Sequence, residues 1–231
     1  MPLDMVSNRS PIILSLDSTG DLVEHLLARD APATTLIVCS TRDAFLQQLC
    51  AAVTSTEQGT EQPPSPQDDH GMDYHISSNC RFYNTIGLIA QSKKVTLAFC
   101  PSLEHFRAYI SVFRRRRLPS PQQEHGRLSY RSRPVLAVLG LIALHYDTKE
   151  FSAQGIAKNL ALTVEIAARE GFNLTLCECV VVGRENASGG RLWDAEVPLL
   201  SGQTLVAGTE SAHTGRTVKV NQVARRWFYF V

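Results

Sequence analysis

The chain has 231 residues, 44% of them hydrophobic and 19% charged, with a net charge of +1. That composition is ordinary for a globular protein, and the length is enough to bury a core as one large domain or two small ones. The near-neutral balance excludes whole-molecule attraction to nucleic acid, so any such attraction must come from a local patch. No apolar run reaches the ~18–20 residues that a membrane span requires.

Strands and helices are expected to alternate along most of the chain. Residues 1–10 are polar and lack the apolar core of a signal peptide. With six scattered cysteines and no secretory signal, reduced thiols in the cytosol or nucleus are expected. Residues 11–16 read as a strand. They run into Asp17-Ser18-Thr19-Gly20-Asp21 and a helix over 20–29 with Leu22, Val23, Leu26 and Leu27 on one face. Thr35-Leu36-Ile37-Val38-Cys39 is a second strand, followed by a helix from about Thr41 carrying Phe45, Leu46 and Leu49. Residues 54–73, extending to about 75, are rich in Pro, Gly and Ser and read as a disordered loop. A helix over about 77–92 follows, with Phe82, Ile86 and Ile89 at helical spacing. The third strand is Val95-Thr96-Leu97-Ala98-Phe99-Cys100, ended by Pro101. Next comes a helix over 102–113 with Leu103, Phe106, Tyr109, Ile110 and Phe113 inward.

A second break spans 114–133. Beyond it, Pro134-Val135-Leu136-Ala137-Val138-Leu139 is apolar throughout, as a strand buried on both faces must be. A strong amphipathic helix is expected over 152–170, with Ile156, Leu160, Val164 and Ala167 in register and Gly171 as its C-cap. Leu174-Thr175-Leu176-Cys177 opens the fifth strand. Strand-like pieces around 192–200, 203–207, 216–222 and 225–230 then suggest parallel βα units finished by antiparallel strands.

This order of elements, from about residue 11 to 230, resembles the RecA-like ATPase core and in particular the recombinase paralogues of eukaryotes. The best local match is VLAVLGLIALHYDTKEFSAQGIAKNLALTVEIAAREGFNLTLCECV at 135–180. In the family this stretch is the Walker B strand, a short flexible loop, a long helix and the next core strand. The resemblance implies a single RecA-like α/β domain over 1–231. It would be a three-layer α/β/α core with a mostly parallel sheet, antiparallel C-terminal strands, and disordered loops at about 54–75 and 114–133.

The positions that handle phosphate in that family depart from its pattern. Where the P-loop lysine belongs the chain has Asp21, with Leu22 in place of the hydroxyl residue. A carboxylate at a helix N-terminus suits the dipole but repels a triphosphate. The acid that would polarise the attacking water falls on Arg42, next to Asp43, and the Walker B aspartate falls on Gly140. Nothing then neutralises charge developing on a transferred phosphoryl group. The expectation is a pseudo-ATPase with no catalytic residue, no assigned nucleotide-binding residue, no metal and no cofactor, with nucleotide binding without turnover left open.

Degenerate RecA-like subunits of this size recur in two assemblies. The Shu-type reading implies pairing with a RecA-like paralogue, a SWIM-domain protein as a further candidate partner, a recombinase filament, DNA, a nuclear location and no membrane. The alternative implied by the same resemblance is an accessory subunit of Elongator, which would bind tRNA. A reading of another class, a Rossmann-like small-molecule enzyme, lacks its fingerprint, because no G-x-G-x-x-G follows any expected strand.

Three groups of residues carry the binding expectations. Arg114, Arg115, Arg116, Arg117, Arg127, Arg131 and Arg133 stand with a single acid, Glu124, in the twenty residues 114–133. Arginines bind phosphates bidentately and stack on bases, so DNA contact, a nuclear transport signal and a solvated loop all remain open. Lys149 to Gln154 (KEFSAQ) lies where the family carries a DNA-contacting loop, which implies a second DNA contact through Lys149 and Lys158; the plain alternative is a connection capped by Ser152. Trp227, Phe228, Tyr229 and Phe230 place aromatic rings on both faces of a terminal strand, which fits core packing or a partner interface. Cys39, Cys100, Cys177 and Cys179 all fall near strand ends, but Cys177-Glu178-Cys179 lacks the usual zinc spacing and buried free thiols are the simpler reading. His145 closes an apolar strand as a hydrogen-bonded core residue.

Overall fold

The structure, a computed structural model, describes residues 10–57, 86–115, 133–200 and 216–231. In chain order its elements begin with β1 (Ile12–Leu14), α1 (Thr19–Ala28), β2 (Thr34–Val38), α2 (Arg42–Glu57), α3 (Ile86–Ser92), β3 (Val95–Phe99) and α4 (Leu103–Val112). They continue with β4 (Val135–Leu139), α5 (Leu141–Tyr146), α6 (Ala153–Glu170), β5 (Asn173–Cys177), β6 (Glu196–Pro198), β7 (Thr217–Lys219), α7 (Val220–Ala224) and β8 (Tyr229–Phe230). Two short 3-10 turns, Glu185–Ala187 and Gly190–Asp194, lie between β5 and β6.

Six strands make one sheet in the order β3-β2-β4-β5-β1-β8, and every pairing in it is parallel. Side chains alternate across the pleat, and the register lines them up row by row. Ile37, Val138, Leu176 and Ile13 are consecutive partners across four strands and feed one core, while Val38, Leu139, Cys177 and Leu14 form the next row and feed the other. β4 is buried at all five positions because helices cover it on both sides. The chain moves toward the β3 edge after β1 and β2, and toward the β8 edge after β3, β4 and β5. With right-handed crossovers this puts α1 and α2 on one face and α4, α5 and α6 on the other. The result is the expected three-layer α/β/α arrangement, with a mostly parallel sheet and a small antiparallel β6–β7 sheet beside it.

Local signals explain the boundaries. Ser18, Ser102 and Ser152 each cap a helix by accepting a backbone N–H three residues on, and Gly171 ends α6 with φ 75°. α6 buries Ile156, Leu160 and Ile166, each worth roughly 1.5–3 kcal/mol of apolar transfer. Gly155 sits in its first turn, where an added Cβ would lie 2.2 Å from the Glu150 carbonyl oxygen.

Some elements differ from expectation. Residues 141–146 are a helix, so His145 lies inside α5 rather than at the end of a strand; Gly140, at φ 77°, turns the chain sharply enough to start it. α2 continues through Glu57, into the start of the expected 54–75 break, whose remainder lies outside the described residues. Of the expected 77–92 helix, 86–92 is helical and leaves Ile86 and Ile89 exposed, while 77–85 lies outside the described residues, as do 116–132 and 203–207. The 225–230 piece narrows to Tyr229–Phe230, and it joins the main sheet parallel to β1 rather than as an antiparallel finish.

Candidate functional site

In an open parallel sheet the natural binding crevice lies at the carboxyl ends of strands whose connections leave to opposite faces. β2 and β4 are such a pair, and a cleft of about 400 Å³ opens there, reached by Cys39, Thr41, Gln48, Gly140, Cys179 and Arg184. Arg184 forms an ion pair with Asp147 at its rim.

Asp21, Arg42 and Gly140, the positions compared with the RecA-like phosphate-handling residues, border this same edge. Between β1 and α1 the chain passes directly from strand to helix through 15–18. The Asp21 amide donates to Ser18 Oγ at 3.1 Å, while Ser18 N–H (3.1 Å) and Oγ–H (2.8 Å) both donate to Asp21 Oδ2. The Asp17 carbonyl accepts from Val180 N–H at 3.1 Å, which ties the turn to the chain leaving β5. A reciprocal capping box of this kind gives donors at the α1 N-terminus an internal carboxylate. Arg42 and Asp43 are both exposed at the start of α2. Gly140 presents no side chain; its amide donates to the Cys177 carbonyl at 2.9 Å.

The carboxylate that does reach the end of β4 comes from elsewhere. Glu178, 2% exposed, accepts from Ile142 N–H at 2.7 Å and Ala143 N–H at 3.2 Å, and so closes the start of α5. Burial pushes its carboxyl up to about 8, against the pull of those two donors. Sequence reasoning missed this role. The available signal was an acid flanked by two cysteines at the exit of an apolar strand, where a charge has no reason to be unless something inside accepts it.

No family model, no curated protein and no solved structure matches this chain.

The four cysteines do gather at the carboxyl edge, but on both sides of the sheet. Cys39 and Cys100 belong to one core, Cys177 and Cys179 to the other, with Cys177 Sγ 3.5 Å from Cys179 Sγ. Contact with Cys177 and burial raise the Cys179 thiol, and burial raises Cys39 and Cys100. Among the described residues no three such side chains come together as a metal site, and no helix is long and apolar enough to cross a membrane.

A polar chain, buried at His145 and Asn159 and partly exposed at Arg107 and Glu150, runs through α5, α6 and α4. His145 Nδ1 bonds the Leu141 carbonyl at 2.8 Å, which makes it the protonated nitrogen, and Nε2 receives the Asn159 amide at 2.7 Å. Asn159 Oδ1 in turn accepts from Arg107 Nε at 2.9 Å, and Arg107 holds the Glu150 carboxylate with both terminal nitrogens. α4, α5, α6 and the turn before α6 are thereby locked together. The expected hydrogen-bonded core role of His145 holds, on a helix.

The binding candidates fall at opposite ends of the molecule. α6 has 18 residues, about 27 Å of helix. Lys149 is exposed just before its start, at the carboxyl edge, and Lys158 is exposed about a third of the way along. Arg114 and Arg115 meet Glu170 at its far end: Arg114 Nη1 and the Arg115 amide each bind that carboxylate at 3.0 Å. Arg133 is exposed just before β4, at the same amino edge. Arg116, Arg117, Arg127 and Arg131 lie outside the described residues. The lysines and the arginines therefore do not form one surface.

The terminal aromatics divide by position. Phe228 is buried, Phe230 packs edge-on against Trp193 with centroids 5.3 Å apart, Trp227 is half-buried, and Tyr229 is 66% exposed. Phe228 belongs to the core, Trp227 and Phe230 pack against it, and Tyr229 is left to solvent.

Proposed function

We propose that this chain is a RecA-like subunit that does not hydrolyse nucleotide and that serves a heteromeric complex promoting homologous-recombination DNA repair. In it the chain pairs with a RecA-like paralogue, a SWIM-domain protein being a further candidate partner, and meets DNA and the recombinase filament in the nucleus. The observation that carries the non-hydrolysing part is the β1–α1 turn. A phosphate cradle needs backbone N–H groups aimed outward and a lysine behind them; here the first-turn donors engage Ser18 and Asp21 of the chain itself. The end of β4 supports the same reading. Gly140 offers nothing to a magnesium ion, and the nearby Glu178 carboxyl group, protonated up to about pH 8, is taken up by the start of α5.

The parallel sheet and the succession β4, α6, β5 support the family resemblance over 135–180. The exposed Arg114, Arg115 and Arg133 at one edge support the DNA contact, which is electrostatic and insensitive to sequence. The experiment is equilibrium binding of a fluorescent ATP analogue with magnesium, alongside turnover with and without DNA. Neither binding nor turnover above background is expected. DNA-stimulated hydrolysis that disappears in Asp43→Ala would overturn the reading.

A further inference from the structure

Two thiols touch beside the cleft at the carboxyl edge of the sheet. Cys177 closes β5 and Cys179 follows two residues on. Both side chains face the core under α1 and α2, while Glu178 between them faces α5, the alternation of an extended chain. The two sulfurs are 3.5 Å apart, one thiol donating to the other, and both cysteines are free. Cys177 is 1% exposed and Cys179 4%, yet Cys179 also lines the cleft of about 400 Å³. One sulfur is thus within reach of a molecule the size of water, and the other is in contact with it.

A small apolar side chain would fill either position; a pair of thiols in contact adds a chemistry that such side chains lack. Two residues of extended chain set Cα atoms about 6.6 Å apart, close to the upper end, ~6.8 Å, of the range a disulfide spans. Closing the bond shortens the sulfur separation to ~2.05 Å and draws the chain in at Glu178. A bond formed at that limit is strained and readily reduced, so the reduced pair is the resting form. The contraction acts on three ties. Glu178 holds the Ile142 and Ala143 amides, the Cys177 carbonyl holds the Gly140 amide, and Val180 N–H holds the Asp17 carbonyl. Contact with Cys177 and burial oppose a second thiolate beside the first, so the pair reacts through a single scarce thiolate, and slowly.

We propose that Cys177 and Cys179 are a reversible dithiol–disulfide site, closed by hydrogen peroxide entering through the carboxyl-edge cleft, and that closing it draws Glu178 away from the α5 amides. The Cys179 thiolate attacks one peroxide oxygen; the O–O bond breaks, and the departing hydroxide takes a proton and leaves as water. Cys179 is then a sulfenic acid. Cys177 attacks its sulfur, the S–O bond breaks as the S–S bond forms, and the Cys177 proton leaves with hydroxide as a second water. Two electrons pass from the sulfurs to the peroxide. Reduced glutathione reverses the closure by thiol–disulfide exchange.

The test treats the reduced full-length chain with hydrogen peroxide, then unfolds it, blocks the remaining thiols with N-ethylmaleimide and digests it with trypsin. Cleavage after Arg169 and Arg184 releases residues 170–184, which hold Cys177 and Cys179 and no other cysteine. Mass spectrometry should find this peptide unlabelled and lighter by two hydrogens, and doubly labelled again once the oxidised protein has met reduced glutathione. Hydrogen exchange of the Ile142 and Ala143 amides should quicken on oxidation of the wild type and stay unchanged in Cys179→Ser, whose thermal midpoint is measured alongside. A doubly labelled peptide when the exposed Cys50 is already oxidised overturns the site. Cys179 carried on to sulfinic acid while Cys177 keeps its label overturns the disulfide. A disulfide that forms with no change in α5 exchange overturns the coupling to Glu178.

Discussion

Glu178 makes the stability of this protein fall with rising pH over a range where most proteins are indifferent. Its carboxyl is buried and pushed up to about 8, from an unfolded value of 4.5. Between those values the folded state holds a proton that the unfolded state has lost, so the slope of stability against pH is negative. The contribution is fully present below 4.5 and disappears as pH passes 8. Over pH 6.5 to 8.5 the loss comes to roughly 2 kcal/mol, at about 1.4 kcal/mol per pH unit while the difference is a full proton. The histidines act with the opposite sign. His145 and His25 are held below 6.5, mainly by burial. As pH falls below 6.5 the unfolded state takes up protons that they refuse, which lowers stability and works against the gain from Glu178. The two trends oppose each other below pH 6.5, and above it the Glu178 loss runs with little opposition from the histidines. Urea unfolding midpoints from pH 5 to 8.5 measure it, with Glu178→Gln as control, since glutamine cannot titrate. A wild-type profile flat above 6.5, or one that keeps its slope in Glu178→Gln, would refute the reasoning.

Three further outcomes follow from the contacts. Asn159→Leu leaves buried His145 Nε2 and Arg107 Nε without their partner, which should cost about 2–4 kcal/mol and lower the thermal midpoint; a loss under about 0.5 kcal/mol would deny the network any structural weight. Gly155→Ala forces a methyl against the Glu150 carbonyl and should destabilise by about 1–3 kcal/mol or more, read in the same urea assay, with neutrality counting against the packing described before α6. Changing Arg114, Arg115, Arg116 and Arg117 together to Ala should weaken DNA binding about equally for all sequences and reduce the salt slope by up to ~3–4 units; a nuclear transport signal would instead leave binding intact and shift the protein out of the nucleus.

Much of the fold was legible because its strands are punctuated. β4 reads as buried on both faces from five consecutive apolar residues, and Ser152 and Gly171 mark both ends of α6 by chemistry that needs no tertiary context. α5 was not legible. Leu141-Ile142-Ala143-Leu144 continues the apolar character of β4, and the only break is Gly140, whose left-handed turn is invisible in composition. Glu178 and Asn159 were missed for a related reason. Their roles depend on partners 36 and 14 residues away, and no local pattern encodes which distant amide a buried side chain will meet. The aromatic tail was half legible. Alternation distinguished the rings, but only the three-dimensional edge shows that Tyr229 is exposed beside Arg225 and Arg226.

Whether the chain belongs to a recombination complex is decided by identifying what it binds in the cells that make it. The full-length protein, tagged and cross-linked before purification, is analysed by mass spectrometry against an untagged control. A RecA-like paralogue together with recombination proteins is expected, with a SWIM-domain protein as the further candidate. Recovery of Elongator subunits in their place would refute the recombination role.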